Sequence, residues 1–329
     1  VKVPLMLLIF DRQSRQARRR CLKSCLKNCL KVRNILAWLA LSLVIGGLIA
    51  GCDGRSDAAA GAGASRSRAI QNKGSDTMVN LALAWAEAYR KVKPDLDIAV
   101  TGGGSGTGIA ALINGTVDIA NASREMKDNE IADAQKNGIN PVEHTVAVDA
   151  LAIIVNKQNP VSQLTIDQLS DIFTGRVTNW KEVGGSDAPI VLVSRETNSG
   201  THVYFLEEVV RKGDKENKDV FAPQTLLMPS SVGITSEVQR NPHAIGYDGL
   251  GYVDTETEKL IAVATDANSP YVLPSVETGA DGSYPISRGL YMYTTGVPNA
   301  DIDDYLAWIR GPDGQKIVAN LGFVPIPQE

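Results

Sequence analysis

From residue 69 onward the chain keeps changing its hydrophobic period, and that alternation restricts it to a mixed α/β architecture. Leu81, Ala84, Trp85 and Ala88 recur at helical spacing within 77–92, and Pro94 marks the stop. An apolar stretch at 96–101 reads as a strand, followed by a helix over 108–113 that ends in Asn114-Gly115. The exchange continues with a strand at 117–120, a helix at 129–137 and a long apolar strand at 146–155. Further helices are expected at 166–173, 201–211 and 231–240, with strands at 190–194 and 250–253. A strand at 289–293 and helices at 302–310 and 315–320 complete the pattern. No self-similar period marks a solenoid or propeller.

The first 69 residues obey a different rule. Residues 1–51 carry ten Lys/Arg against the single acid Asp11, and Ile35 to Ile49 is an uncharged run of fifteen residues. A membrane span needs about 20. A basic head, a short apolar core and small residues before a cut site describe an export leader. The run ends in Leu48-Ile49-Ala50-Gly51-Cys52, which resembles a bacterial lipobox. That resemblance implies a signal peptide over 1–51, with Cys52 as the lipidated first residue and membrane anchor of the mature chain. Residues 52–69, rich in Asp, Gly, Ala, Ser and Arg, then read as a flexible tether. Cys21, Cys25 and Cys29 lie in the leader and receive no role.

Charge and rare residues narrow the function. The leader masks the acidity of the remainder, where 23 basic residues face 36 acidic ones, a balance of −13. A chain so acidic has no long-range pull on nucleic acid, so any anion must be held by local donors. No cysteine lies beyond Cys52, and His144, His202 and His243 are the only histidines. A disulfide, a thiolate metal site and a zinc enzyme are therefore unsupported. No metal and no cofactor is expected.

Four small-residue loops each lead into a helix or follow a buried strand. They are Gly74-Ser75-Asp76-Thr77, Gly102 to Gly108 around Ser105, Asn121-Ala122-Ser123-Arg124, and Arg195-Glu196-Thr197-Asn198-Ser199-Gly200-Thr201. A helix N-terminus offers unpaired N–H groups and about half a positive charge. Ser and Thr hydroxyls add donors, Gly admits close backbone approach, and Arg adds charge-assisted pairs. Any one of Ser75, Asp76 or Ser199 is equally explained as a helix N-cap. The glycine loop lacks the Lys of a P-loop and a clear acid about 20 residues on, and Thr107 stands where a nucleophile elbow needs Gly.

At the 195–201 segment the chain resembles the phosphate-binding subunit family of bacterial phosphate ABC transporters. Further matching segments are Ile172-Phe173-Thr174-Gly175 with Asn179-Trp180, Ala244-Ile245-Gly246-Tyr247 and Tyr284-Pro285-Ile286-Ser287-Arg288. The resemblance covers residues 70–329 and implies a type II periplasmic-binding-protein fold, two α/β lobes, each a mixed sheet flanked by helices, with the ligand in the cleft. Lobe 1 is expected over 70–152 and 255–329, and lobe 2 over 153–254. Ser75, Asp76, Thr77, Ser105, Ser123 and Arg124 would face inorganic phosphate from the first lobe. Arg195, Ser199, Gly200 and Thr201 would face it from the second. The implied partners are phosphate and the transporter's membrane permease subunits, the chain acting as a monomer without catalysis. Well-known members of the family carry an Asp where this chain has Arg124, and that Asp accepts the phosphate proton and helps reject sulfate; here Arg124 would instead add charge, as in other branches of the family. Asp76 is then either the substitute acceptor or only a cap. Three alternatives stay open: binding of another oxyanion such as sulfate, molybdate or tungstate, a phosphate-sensing or adhesive lipoprotein, and a phosphatase using Ser105 or Ser199 with His202 as base.

Overall fold

The structure is a computed structural model that describes residues 69–297 and 299–327. The leader, Cys52 and the tether up to residue 68 lie outside the described residues.

Eleven strands run in chain order: β1 Ile70–Gly74, β2 Ile98–Thr101, β3 Ile119–Ala122, β4 Val142–Asn156, β5 Gln163–Thr165, β6 Val191–Arg195, β7 Leu226–Met228, β8 Ala244–Gly249, β9 Glu258–Leu260, β10 Ala262–Ala264 and β11 Ser287–Thr294. Nine of them form one sheet in the order β2-β1-β3-β11-β4-β8-β6-β7, with β9 also against β4; β10 and β5 pair separately. β4 is the pivot. Residues 142–150 pair antiparallel with β11, and 151–155 pair antiparallel with β8. The core divides at the same place. Val146 and Ala147 pack with Leu81, Trp85, Leu290, Met292 and Tyr305. Leu151, Ile153 and Val155 pack instead with Phe173, Phe205, Tyr247, Tyr284 and Ile286.

Residues 258–286 keep company with the second core. β9 pairs with 154–156, β10 pairs with β5, Tyr284 and Ile286 lie in the second core, and β11 begins at Ser287. Three-residue strands such as these are too short to show a period. The strand expected at 250–253 is a 3-10 turn, Leu250–Tyr252, and the buried strand is β8 just before it. Gly246 hides that strand from propensity, yet an added Cβ would sit 3.0 Å from Ile234 and 3.2 Å from Val238, so the helix behind needs a glycine there.

Local signals set the helices. Thr165 and Gln168 bond reciprocally at the start of Ile166–Phe173, and Asn299 caps Ala300–Arg310. Trp85, on the buried face of Val79–Tyr89, also donates its indole N–H to Gly314 O at 2.9 Å. Its removal would cost about 3–5 kcal/mol.

Candidate functional site

The parallel strands β1, β2 and β3 all end on one edge, and ligands of open α/β sheets bind outside such carboxyl ends. Gly74 and Asn121 are register partners, so the residues after them, Ser75 and Ser123, stand close together. Gly74 has φ +146°, and an added Cβ would lie 2.1 Å from Asn121 O; only glycine lets the strands converge here. Ser75 Oγ donates to Ser123 Oγ at 3.0 Å, and its backbone N–H donates to Asn121 O at 2.8 Å. Ser105 opens the helix Ser105–Ile113; its Oγ is 3.2 Å from Ser123 Oγ and accepts the Ser123 N–H at 3.0 Å. Three buried hydroxyls thus form one cluster.

The second lobe meets it directly. A Cβ on Gly200 would be 2.4 Å from Ser105 Oγ and 2.6 Å from Ser123 Oγ. Asn198 donates its side-chain N–H to Gly103 O at 2.9 Å and accepts the Gly106 N–H at 3.0 Å. Thr201 Oγ1 is 2.8 Å from Thr77 Oγ1 and accepts Arg288 Nη2 at 2.8 Å. Arg288 is the register partner of Asp149, and both its Nε (3.2 Å) and Nη2 (2.9 Å) donate to Asp149 Oδ2. Arg288 Nη1 and Asp149 Oδ1 are buried and have no partner among the described residues. Buried polar groups are nearly always satisfied, so each of these two atoms is a candidate ligand contact, as are the equally unpartnered Asp248 Oδ2 and Arg124 Nε.

A second network lies alongside. Arg195 donates from Nη2 to Asp76 Oδ2 at 3.1 Å and from Nη1 to Ser231 Oγ at 3.1 Å. Ser231 Oγ donates onward to Asp248 Oδ1 at 2.9 Å, and the Ser231 N–H donates to Asp76 Oδ2 at 3.0 Å. Burial pushes the Asp248 carboxyl up to about 6, against the pull of Arg195.

Several expectations change in this setting. The Arg124 charge is shared with a carboxylate: its Nη1 and Nη2 donate to Glu130 at 2.8 and 2.7 Å, while its buried Nε has no partner among the described residues. Asp76 is not a helix cap, since its carboxylate oxygen receives Arg195 and Ser231. Ser75 makes no side-chain cap bond, whereas Ser199 does cap, accepting the Thr201 N–H at 3.2 Å. His202 Nδ1 lies 3.2 Å from Ser194 Oγ, its ring 4.6 Å from that of Phe221. The residues missed in sequence are Asp149, Ser231, Asp248 and Arg288. An acid inside the otherwise uncharged run 146–155 was the available signal.

Hydroxyl, guanidinium and carboxylate groups converging where two lobes meet define a solute-binding protein built for a small oxyanion. Residues 58–312 match the family model described as a PBP superfamily domain. A phosphate-binding protein PstS from Pseudomonas aeruginosa is 35% identical over 275 residues, 78% of this chain and 83% of the relative. The Bacillus subtilis PstS is 34% identical, covering 77% and 79%. Among solved structures, a Clostridium perfringens protein with bound phosphate matches with a TM-score of 0.70 at 34% identity, over 79% of this chain and all of that one. An ABC-type phosphate transport receptor from Vibrio cholerae matches with a TM-score of 0.63 at 31% identity, covering 78% and 100%. The chain belongs to the PBP superfamily and, within it, to the PstS phosphate-binding proteins.

Proposed function

We propose that this chain binds inorganic phosphate outside the cytoplasmic membrane and hands it to the permease subunits of an ABC transporter. The observation that carries the ligand is the unpartnered pair of Arg288 Nη1 and Asp149 Oδ1. Hydrogen phosphate has oxygens to accept from the arginine and one hydroxyl to donate to the carboxylate. Sulfate has no proton at neutral pH, and would leave Asp149 Oδ1 facing another lone pair. Leaving a buried acceptor unsatisfied costs about 1–3 kcal/mol, more when it is charged. Asp149 thus takes the acceptor role that well-known members of the family give to the residue at position 124. Ser75, Thr77, Ser105, Ser123, Gly200 and Thr201 supply the remaining donors, with Ser199 holding the Gly200 turn. The phosphate-binding relatives support this ligand.

Export with lipid anchoring at Cys52 is part of the same proposal and rests on the leader and lipobox. The protein transforms nothing. Ser199 is occupied as a cap, and His202 meets the fully buried Ser194, which also bonds Tyr247, so His202 is not placed as a base for Ser199. A calorimetric series with phosphate, sulfate, molybdate and tungstate tests the assignment. Tight, reversible phosphate binding with sulfate at least ~10-fold weaker is expected; a sulfate or molybdate preference would move the ligand.

A further inference from the structure

Arg195, the arginine of the most telling sequence motif, has little left to offer a ligand. Four of the five N–H groups of a guanidinium are engaged: Nε on Met228 O, Nη1 on Ser231 Oγ, and Nη2 on both Pro229 O and Asp76 Oδ2. Met228, Pro229 and Ser231 belong to its own lobe, at β7 and the start of the helix Ser231–Arg240. Asp76 follows β1 and belongs to the other. That carboxylate reaches across and takes two donors at one oxygen, the guanidinium at 3.1 Å and the Ser231 N–H at 3.0 Å. The guanidinium is held to the second lobe from behind, because Ser231 Oγ bridges it to Asp248, which is also fixed by the Gly249 N–H at 2.8 Å. The charge of Arg195 is thereby offset by Asp76 directly and by Asp248 through one hydroxyl. Arg288, in contrast, keeps Nη1 unengaged.

We propose that Asp76 and Arg195 form a cross-cleft clamp that holds the lobes closed, with Ser231 and Asp248 as its positioning residues, while Arg288 carries the ligand's charge. This rests on the phosphate reading for its kinetic consequence. Both bonds to Asp76 exist only when the lobes meet, so they stabilise the closed state and slow release, leaving entry unchanged. Sequence hides this role because Asp76 and Arg195 are 119 residues apart and each looks like an ordinary loop donor.

The test uses the full chain and measures phosphate association and release by stopped flow. Asp76→Asn should raise the release rate at least ~10-fold, as expected for lost charge-assisted bonds, and alter the association rate by less than ~3-fold. Asp76→Asn combined with Arg195→Lys should release no more than ~2-fold faster than the faster single variant, because each removes the same contact. Asp248→Asn should speed release on its own and add nothing in the Asp76→Asn background. Multiplicative effects, or an unchanged release rate in Asp76→Asn, would overturn the clamp. Hydrogen exchange supplies a second arm, read in the closed chain saturated with phosphate or, where phosphate does not bind, with sulfate: exchange at the Ser231 amide should be faster in Asp76→Asn than in the parent. The exchange effect seen with sulfate but not obtained with phosphate would remove phosphate as the ligand and spare the clamp; unchanged exchange in the ligand-saturated variant would remove the clamp.

Discussion

Two arginine–carboxylate pairs, one fully and one partly buried, sit within one site and are built in opposite ways. Arg288 and Asp149 are register partners on adjacent antiparallel strands, so forming the sheet is enough to bring them together. Arg195 and Asp76 come from different lobes and meet only because those lobes touch. The first pair leaves one donor and one acceptor unspent; the second is nearly saturated. A binding protein that opens and closes has use for both kinds. Charge that must be ready when the ligand arrives belongs on the rigid sheet. Contacts that determine how long the ligand stays belong between moving parts.

This contrast predicts a graded series. Arg288→Ala should have the largest effect, weakening phosphate at least ~100-fold by calorimetry, because it deletes a charge-assisted donor and leaves Asp149 buried without its cation. A loss below ~10-fold would return the ligand's charge to Arg195. Asp149→Asn comes next: phosphate affinity should fall about 10- to 100-fold, and the discrimination against sulfate should shrink with it. Retained discrimination in that variant would place the proton acceptor elsewhere. Arg195→Ala should weaken phosphate by more than ~10-fold, with the loss expressed in release. Equal losses in association and release would make Arg195 a direct ligand.

Asp248 gives a smaller, pH-dependent term. Its carboxyl is pushed up to about 6 chiefly by burial, above the ~3.9 of an unfolded chain. The folded state therefore holds the proton more tightly. Its contribution to stability is full below pH ~4 and is lost as the pH rises through about 6. Relative to the parent chain, Asp248→Asn should gain stability between pH 4 and 8, on the order of 3 kcal/mol by thermal unfolding. A difference independent of pH would show that the carboxyl is not held protonated by burial. Arg124→Ala should do least, changing phosphate affinity less than ~3-fold, since its two terminal nitrogens are committed to Glu130. A loss beyond ~10-fold would restore it to the site.

Much of this was legible in the sequence, and the parts that were not share a cause. The helices at 166–173 and 231–240 were read to the residue, because the spacing of their apolar residues and their end signals agree. Donor loops were legible too, since small residues at strand ends are a local pattern. Asp149 and Arg288 were not, because their meaning arises from strand register across 139 residues. Arg124 shows the same limit from the other side: a cation next to Ser123 reads as a ligand donor, and only the structure shows that Glu130, six residues on, holds its two terminal nitrogens. The strands β9 and β10, which pair with β4 and β5, were hidden by their length of three residues each. Local periodicity carries elements, and register carries chemistry.

A crystal structure of the chain with phosphate tests the central claim most directly. Phosphate should accept from Arg288 Nη1 and present its hydroxyl to Asp149 Oδ1 in a short O–H···O bond of about 2.5–2.7 Å, with Arg124 still on Glu130. Phosphate held by Arg124, or lying beyond hydrogen-bond reach of Asp149, would contradict the account.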